Sequence, residues 1–474
     1  MNWSSLLCEK RMRQLTKSTT SSDLRTEFEK DYHRIIGSSS FRRLQDKTQV
    51  FPLERSDFIR TRLTHSLEVS SFAKSLGQNV GNSIIKNQLD SSFGAKQKED
   101  ICNILQCAGL IHDLGNPPFG HFGETIIQDY FKSHLSTLCF KGKTLDTLLN
   151  KQMVQDLCHF DGNTQAFRIV TKLHCLVDEN GMNLTKALLG TIMKYPVSSI
   201  ETDKKNGNIK YKKFGYFYAE QDIYNDLILS LQTGGNRHPL TFLLEAADDI
   251  AYKTADIEDA FKKGCITYSQ FHRELSNALS SLSENSKEYE IFSQAIQILN
   301  HKYNKALQNQ YHNPEKYAIL NWTVSVQGTM ILTASDSFIR HYRKIMDGSY
   351  TSDLFFGTPV EKLMEVLGDI AYRYAFTSTP IFKLEISASI ILKFLLDEFI
   401  HAVLYYDTDK KLSPIDEKLI KLISEDYKFI YHYYSDGKSE NEKLYLRLLL
   451  VTDFISGMTD SYAKNLYQEL NGIS

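Results

Sequence analysis

Apolar residues recur along this chain mostly at helical spacing. Between 64 and 85, Leu67, Val69, Phe72, Ala73, Leu76 and Val80 fall close to one stripe, which predicts a helix with Thr64 as its N-cap. Ile101, Ile104, Leu105, Ala108, Leu110 and Ile111 repeat the pattern over 98–114. Segment 24–46 is helical with a break at Gly37-Ser38-Ser39-Ser40, and a helix resumes over 124–138 after a Pro-Pro-Phe-Gly loop. Further helices are expected through 239–263, 268–312, 324–346, 359–375, 381–406, 414–434 and 443–469, the last with a kink at Gly457. Strand-like alternation is scarce. Residues 139–160 are mixed, 16–23 are polar and loop-like, and Asn206-Gly207 within 203–218 signals one short β-hairpin. The expectation is an all-α fold. No linker forces a boundary, so residues 1–474 are read as one elaborated domain.

Composition agrees with this picture. A chain of 474 residues with 42% hydrophobic and 24% charged residues is ordinary for a globular protein with a large core, and only nine prolines suit helices. A net charge of −2 argues against a protein that coats nucleic acid, while leaving a local basic groove open. Seven cysteines form no Cys-x-x-Cys pair, and the sequence shows no secretory leader and no apolar run approaching ~20 residues. A reduced, cytoplasmic setting without membrane insertion is expected.

Chemistry concentrates in Ile111 to His121 (IHDLGNPPFGH), where His112 and Asp113 end an apolar helix. Imidazole beside carboxylate suits a divalent cation such as Mn, Fe, Co, Ni, Zn or Mg once further ligands join. A helix C-terminus also welcomes His, and Asn-Pro stops a helix, so the pair alone decides nothing. His65, on an earlier helix, and Asp248, in Leu244-Glu245-Ala246-Ala247-Asp248-Asp249, are the other ligand candidates. Two adjacent buried carboxylates need compensation worth several kcal/mol on the order of each desolvated charge, from a cation or from Arg and Lys. His121 and Glu124 lie three apart at a helix start and share a face, as a proton-handling pair or as a capping arrangement.

The order His65, His112-Asp113, Asp248 resembles the HD-domain metal-dependent phosphohydrolases. Longer stretches are similar to the bacterial deoxyguanosine triphosphate triphosphohydrolase (dGTPase) family: Arg42 to Leu53 (RRLQDKTQVFPL), Arg60 to Val69 (RTRLTHSLEV), His112 to Glu124 and Glu245 to Tyr252 (EAADDIAY). The likeness runs from about 30 to 265 and returns at Ile455 to Asp460 (ISGMTD); it is weak between about 270 and 440. It implies an HD-type metal-binding core over about 30–265, elaborated by C-terminal helices over about 266–474.

The resemblance further implies hydrolysis of a dNTP, typically dGTP, to the deoxynucleoside and inorganic tripolyphosphate. His65, His112, Asp113 and Asp248 would hold the metal, commonly Mn or Mg, with Co, Ni, Fe or Zn open. His121 and Glu124 would be catalytic. Arg62, Lys194 and Lys213 match phosphate contacts, although both lysines also read as solvated surface residues. Asn163 and Tyr195 match further substrate contacts, Tyr252 and Asp256 the sugar, and Gln49, Val50 and Glu385 the base. The family's C-terminal base-contacting arginine has no counterpart in Ile423 to Lys428 (ISEDYK), which leaves guanine selectivity open. Family habit adds a homo-oligomer, often a hexamer, and single-stranded DNA or nucleotide as effector. A nucleotidase or pyrophosphohydrolase on the same scaffold and a catalytically decayed nucleotide or DNA sensor are the alternatives; all six metal and acid–base positions being filled argues against decay.

Overall fold

The structure is a computed structural model that describes residues 1–13, 23–49, 59–175, 178–377 and 379–473. It is all-α. Among the described residues, regular strand is confined to Cys139–Phe140 and Lys143–Thr144. No helix among them is long and apolar enough to cross a membrane. Most of the predicted loop 16–23, and Val50, lie outside the described residues.

Four helices carry the centre. Arg62–Lys86 packs against Ala95–Ile111, Pro239–Lys262 and Pro314–Arg340, burying Val69, Ala73, Leu76, Val80 and Ile84. The first two approach closely because Gly109 lies against the Ser70 backbone, where even a methyl group would overlap it. Arg60, just before the Arg62–Lys86 helix, sets its pitch against Pro239–Lys262. Its guanidinium bonds Glu258 at 2.6 Å and Asp259 at 2.7 Å, and also Glu68 at 2.9 Å on its own side. That clamp places His65 opposite Asp248.

Several local expectations need correction. The cap of the Arg62–Lys86 helix is Thr61, with Thr64 at the third position answering it in a capping box. A threonine three residues further back competes for the same role, and periodicity alone does not choose between them. The hairpin expected around Asn206-Gly207 is absent: Asn206 N–H turns back to Asp203, but Ile209 N–H bonds Thr351 O and Ile209–Tyr211 forms a 3-10 turn. Its backbone groups are satisfied elsewhere, so no ladder forms. The one hairpin among the described residues is Cys139–Phe140 with Lys143–Thr144. Lys141 and Gly142 turn it with φ of 49° and 79°, the geometry that matches strand twist. The 443–469 helix is two, Glu440–Ser456 and Asp460–Leu470, separated at Gly457. Pro314–Arg340 begins ten residues before the expected 324, with Asn313 as cap and Pro314 in the first turn.

Candidate functional site

The Ala95–Ile111 helix ends at His112, and the chain then crosses Gly115-Asn116-Pro117-Pro118 before Gly120–His134 begins. Phe119 and Gly120 have φ of 63° and 61°, so two successive left-handed residues turn the chain into that helix. Phe119 is non-glycine in that region and is held there by its buried ring and by Asp460 Oδ1, which accepts its N–H at 3.0 Å. The result folds His121 and Glu124 back toward His112 and Asp113.

His65, His112 and Asp113 each offer a ligand atom, all within 4.8 Å of one another. Asp248 Oδ1 lies 3.3 Å from His65 Nε2 and 3.4 Å from His112 Nε2. His112 Nδ1 is 2.8 Å from Gly109 O; a carbonyl only accepts, so this nitrogen carries the proton and Nε2 keeps its lone pair in the neutral ring. That Nε2 is buried and has no good hydrogen bond among the described residues. A buried, unsatisfied imidazole nitrogen aimed between two carboxylates fits a divalent cation.

Electrostatics run the same way. Burial opposes ionisation of Asp113, yet the Arg62 guanidinium and His112 overcome it and hold its carboxyl well below the usual range. Burial likewise opposes charge on Asp248, and Lys194, 3.0 Å away, with His112 holds it far down. Asp249 has the opposite fate: burial, then Asp248, Glu245 and Asp353, push it up to about 7. At His112 burial disfavours the cation, while Asp113 and Asp248 more than offset it and raise the pKa.

His121 Nδ1 and Glu124 Oε2 are 2.8 Å apart. Glu124 is buried, whereas the His121 side chain is 74% exposed at the rim, free to meet a ligand. The hydrogen bond from Glu124 raises the His121 pKa above its ordinary value. Glu124 Oε1 accepts the Gly162 N–H at 2.6 Å, which fixes the carboxylate from behind. A Cβ at Gly162 would overlap Asn116 Oδ1 and press on Glu124 Oε1. Gly162→Ala is therefore expected to lower turnover by about 10²-fold, the scale for a catalytic group displaced by ~1 Å, with the loss seen in kcat before KM. Steady-state kinetics on the folded variant checks it.

The other sequence candidates distribute around this centre. Arg62 is buried and engaged with Asp113 at 2.5 Å, so in this structure its guanidinium braces that carboxylate. Lys194 is paired with Asp248, and Tyr195 beside it is buried. Lys213 pairs with Asp161, whose Oδ1 also accepts the Asn163 backbone and side-chain N–H groups, both at 2.9 Å. Tyr252 is half-buried, its ring parallel to Phe376; burial, then Asp256 and Asp248, raises its pKa. Asp256 is 1% exposed, and neither carboxylate oxygen has a hydrogen-bond partner among the described residues. Gln49 is half-buried next to Thr48, which bridges to Thr61 at the start of the His65 helix. Glu385 sits half-exposed on Thr379–Val403, without a hydrogen bond or ion pair among the described residues. Val50 lies outside them.

Sequence reasoning missed Asn116, whose Nδ2 donates to Asp113 Oδ1 at 2.7 Å, and Asp161. Asn116 was in view as a helix stop, and its place three residues after Asp113 was the available signal. Asp161 stands two residues before the candidate Asn163, but its partner Lys213 is 52 positions away.

An HD-domain family profile matches residues 62–163, the stretch from the His65 helix through Asn163. A deoxyguanosinetriphosphate triphosphohydrolase-like protein of Listeria monocytogenes is 45% identical over 479 aligned positions, covering 100% of both chains. The chain belongs to the deoxyguanosinetriphosphate triphosphohydrolase family. A like-named protein of Synechocystis is 32% identical across 100% of both chains. The deoxyguanosinetriphosphate triphosphohydrolase of Klebsiella pneumoniae is 30% identical across 100% of this chain and 98% of its own. The chain is thus a hydrolase on an HD scaffold, a scaffold that binds divalent metal, and His65, His112 and Asp113 form a cluster suited to it. The HD domain is helical, as this fold is, and the 62–163 match spans both the His112-Asp113 motif and the His121–Glu124 pair.

Proposed function

We propose that this chain hydrolyses dGTP, and other dNTPs less well, to the deoxynucleoside and inorganic tripolyphosphate. The observation that carries the proposal is the His65–His112–Asp113 cluster, with Asp248 against both imidazoles, joined by the Asn116 loop to the buried Glu124 and the rim-exposed His121. The names of the Listeria and Klebsiella relatives supply the substrate. His65, His112, Asp113 and Asp248 are assigned to hold a divalent cation, Mn or Mg first. When bound, such an ion supplies Lewis acidity to the phosphoryl oxygens and acidifies water.

The chain's own residues then have defined tasks. Water attacks the α-phosphorus and the sugar 5′-oxygen leaves, so one proton is taken and one given. Glu124 orients the His121 imidazole and raises its basicity, and His121 at the rim exchanges the proton at the attacking water or the leaving oxygen. Arg62, Lys194 and Lys213 offset phosphate charge, Arg by its planar fork and Lys as point charges. Each is now paired with a carboxylate, so a triphosphate would share these cations with Asp113, Asp248 and Asp161. Asn163 and Tyr195 complete that wall. Tyr252 and Asp256 take the deoxyribose: the Asp256 oxygens, without a partner among the described residues, suit a hydroxyl donor, and the aromatic ring disfavours a 2′-hydroxyl. Gln49, Val50 and Glu385 are assigned to the base. A cytoplasmic homo-oligomer, a hexamer first, with single-stranded DNA as the effector to try, belongs to the same proposal.

Turnover of the purified protein on the four dNTPs and GTP, with Mn or Mg and every product resolved, tests it. Tripolyphosphate from dGTP is the expected product; orthophosphate or pyrophosphate instead overturns the reaction assigned.

A further inference from the structure

The loop between the candidate metal cluster and the His121–Glu124 pair cannot hold itself in place. Pro117 and Pro118 remove two backbone donors, and the left-handed Phe119 and Gly120 interrupt any regular pattern. Among the described residues its internal backbone bonds outside the flanking helices are three, Leu114 to Ile111, Asn116 to Asp113, and Gly120 to Pro117, with the Asn116 side chain adding one to Asp113 Oδ1. Two of its backbone groups, the Asn116 carbonyl and the Phe119 N–H, are met from distant parts of the chain by two buried side chains, a lysine and an aspartate. Lys47 Nζ donates to Asn116 O at 2.6 Å and to Ser456 O at 2.7 Å. Asp460 accepts the Phe119 N–H through Oδ1 and, through Oδ2, both the Thr48 N–H at 3.1 Å and the Thr48 hydroxyl. Lys47 and Asp460 are 3% and 2% exposed. The Lys47 carbonyl in turn accepts the Arg62 N–H at 3.2 Å, which ties the assembly to the His65 helix.

Burial of this kind is an expensive way to achieve packing alone. Burial pushes the Lys47 ammonium down to about 7, against the pull of Asp460. Lys47 bonds backbone carbonyls, and Asp460 bonds N–H groups and the Thr48 hydroxyl. Burying such side chains costs more than packing apolar ones of similar volume, so they are explained better by the geometry they impose. They grip the loop at both ends, at Asn116 and at Phe119. Asn116 also holds Asp113 Oδ1, and Phe119 directly precedes the helix that bears His121 and Glu124.

We infer that Lys47 and Asp460 are positioning residues that clamp the Asn116–Phe119 loop and so set the spacing between Asp113 and the His121–Glu124 pair. The segment Ser456–Asp460, far from the HD region in sequence, is on this view part of the site. The inference rests on the proposed hydrolysis for its kinetic consequences, and on the loop alone for its structural one.

The test uses the full chain with Lys47→Met, Asp460→Ala, Asp460→Asn and the double variant Lys47→Met/Asp460→Ala. Lys47→Met and Asp460→Ala are expected to lower kcat about 10- to 100-fold with KM within about twofold, the scale of a ~1 Å misplacement. The double variant should be no worse than the worse single, and Asp460→Asn, whose one amide oxygen can still accept the Phe119 N–H but not the Thr48 N–H as well, should recover part of the rate. In a Glu124→Ala background, Lys47→Met should cost little further, because the pair it positions is already broken. Amide hydrogen exchange at Gly120 and His121 should speed up in both single variants. Losses that multiply in the double variant, a full Lys47→Met penalty in the Glu124→Ala background, or unchanged exchange would overturn the clamp. Should Lys47→Met not fold, Thr48→Val, which removes only the hydroxyl held by Asp460, gives the same readouts with a smaller effect. If the wild-type protein turns over no dNTP, the functional proposal fails, and the exchange measurement still decides the clamp.

Discussion

His112→Ala and Asp248→Ala are each expected to reduce dNTP turnover by at least ~10³-fold and to strip the protein of tightly held Mn. Charge stabilisation by a metal at a phosphoryl centre is worth several kcal/mol, and each 1.36 kcal/mol is about tenfold in rate. The two positions probe different dependencies. His112 offers a buried Nε2 with no good hydrogen bond among the described residues, so removing the ring deletes a ligand atom without freeing a competitor. Asp248 faces both imidazoles through Oδ1 and Lys194 through Oδ2, so its removal also leaves Lys194 buried without its counter-charge. Asp248→Asn, which retains shape and hydrogen bonding, should therefore be better folded than Asp248→Ala yet equally inactive. Metal analysis of the dialysed protein, circular dichroism and kcat on the same samples separate the cases. Variants that keep turnover after losing metal would sink the ligand assignment.

Periodicity placed the helices because their buried faces follow the 3.6-residue repeat, as in Val69, Ala73, Leu76 and Val80 on Arg62–Lys86. It failed where the signal is local and degenerate: Thr61 and Thr64 both qualify as caps, and Lys141-Gly142 made the hairpin that Asn206-Gly207 suggested. Within the candidate site, residues clustered in continuous motifs were legible, and their pairings were not. Arg62, expected at the phosphates, is bound in this structure to Asp113, and Lys213 to Asp161, because a charge in a low-dielectric wall takes the nearest opposite charge. Lys47 and Asp460 stood inside quoted motifs, but only the fold brings positions separated by 412 residues to one loop.

Replacing Glu124 should separate proton handling from metal binding. Glu124→Ala is expected to lower kcat by about 10²- to 10⁴-fold, the usual range for a positioned acid–base group, with metal content near normal. Glu124 is buried, bonded to His121 on one oxygen and to the Gly162 N–H on the other, so it orients the imidazole from a fixed base. Glu124→Gln can keep the Gly162 bond while losing the charge, which isolates the electrostatic part. With Glu124 ionised, the His121 pKa lies above its ordinary value, so removing that charge lowers it. If His121 acts as an acid, activity falls as pH rises through its pKa; if as a base, activity falls as pH drops through it. In either role the limb belonging to His121 moves to lower pH in Glu124→Gln. The pH profile of kcat/KM on wild type and variant reads the shift directly. A limb that stays put would remove His121 from the proton-transfer step, and loss of metal along with activity would make Glu124 part of the ligand shell instead.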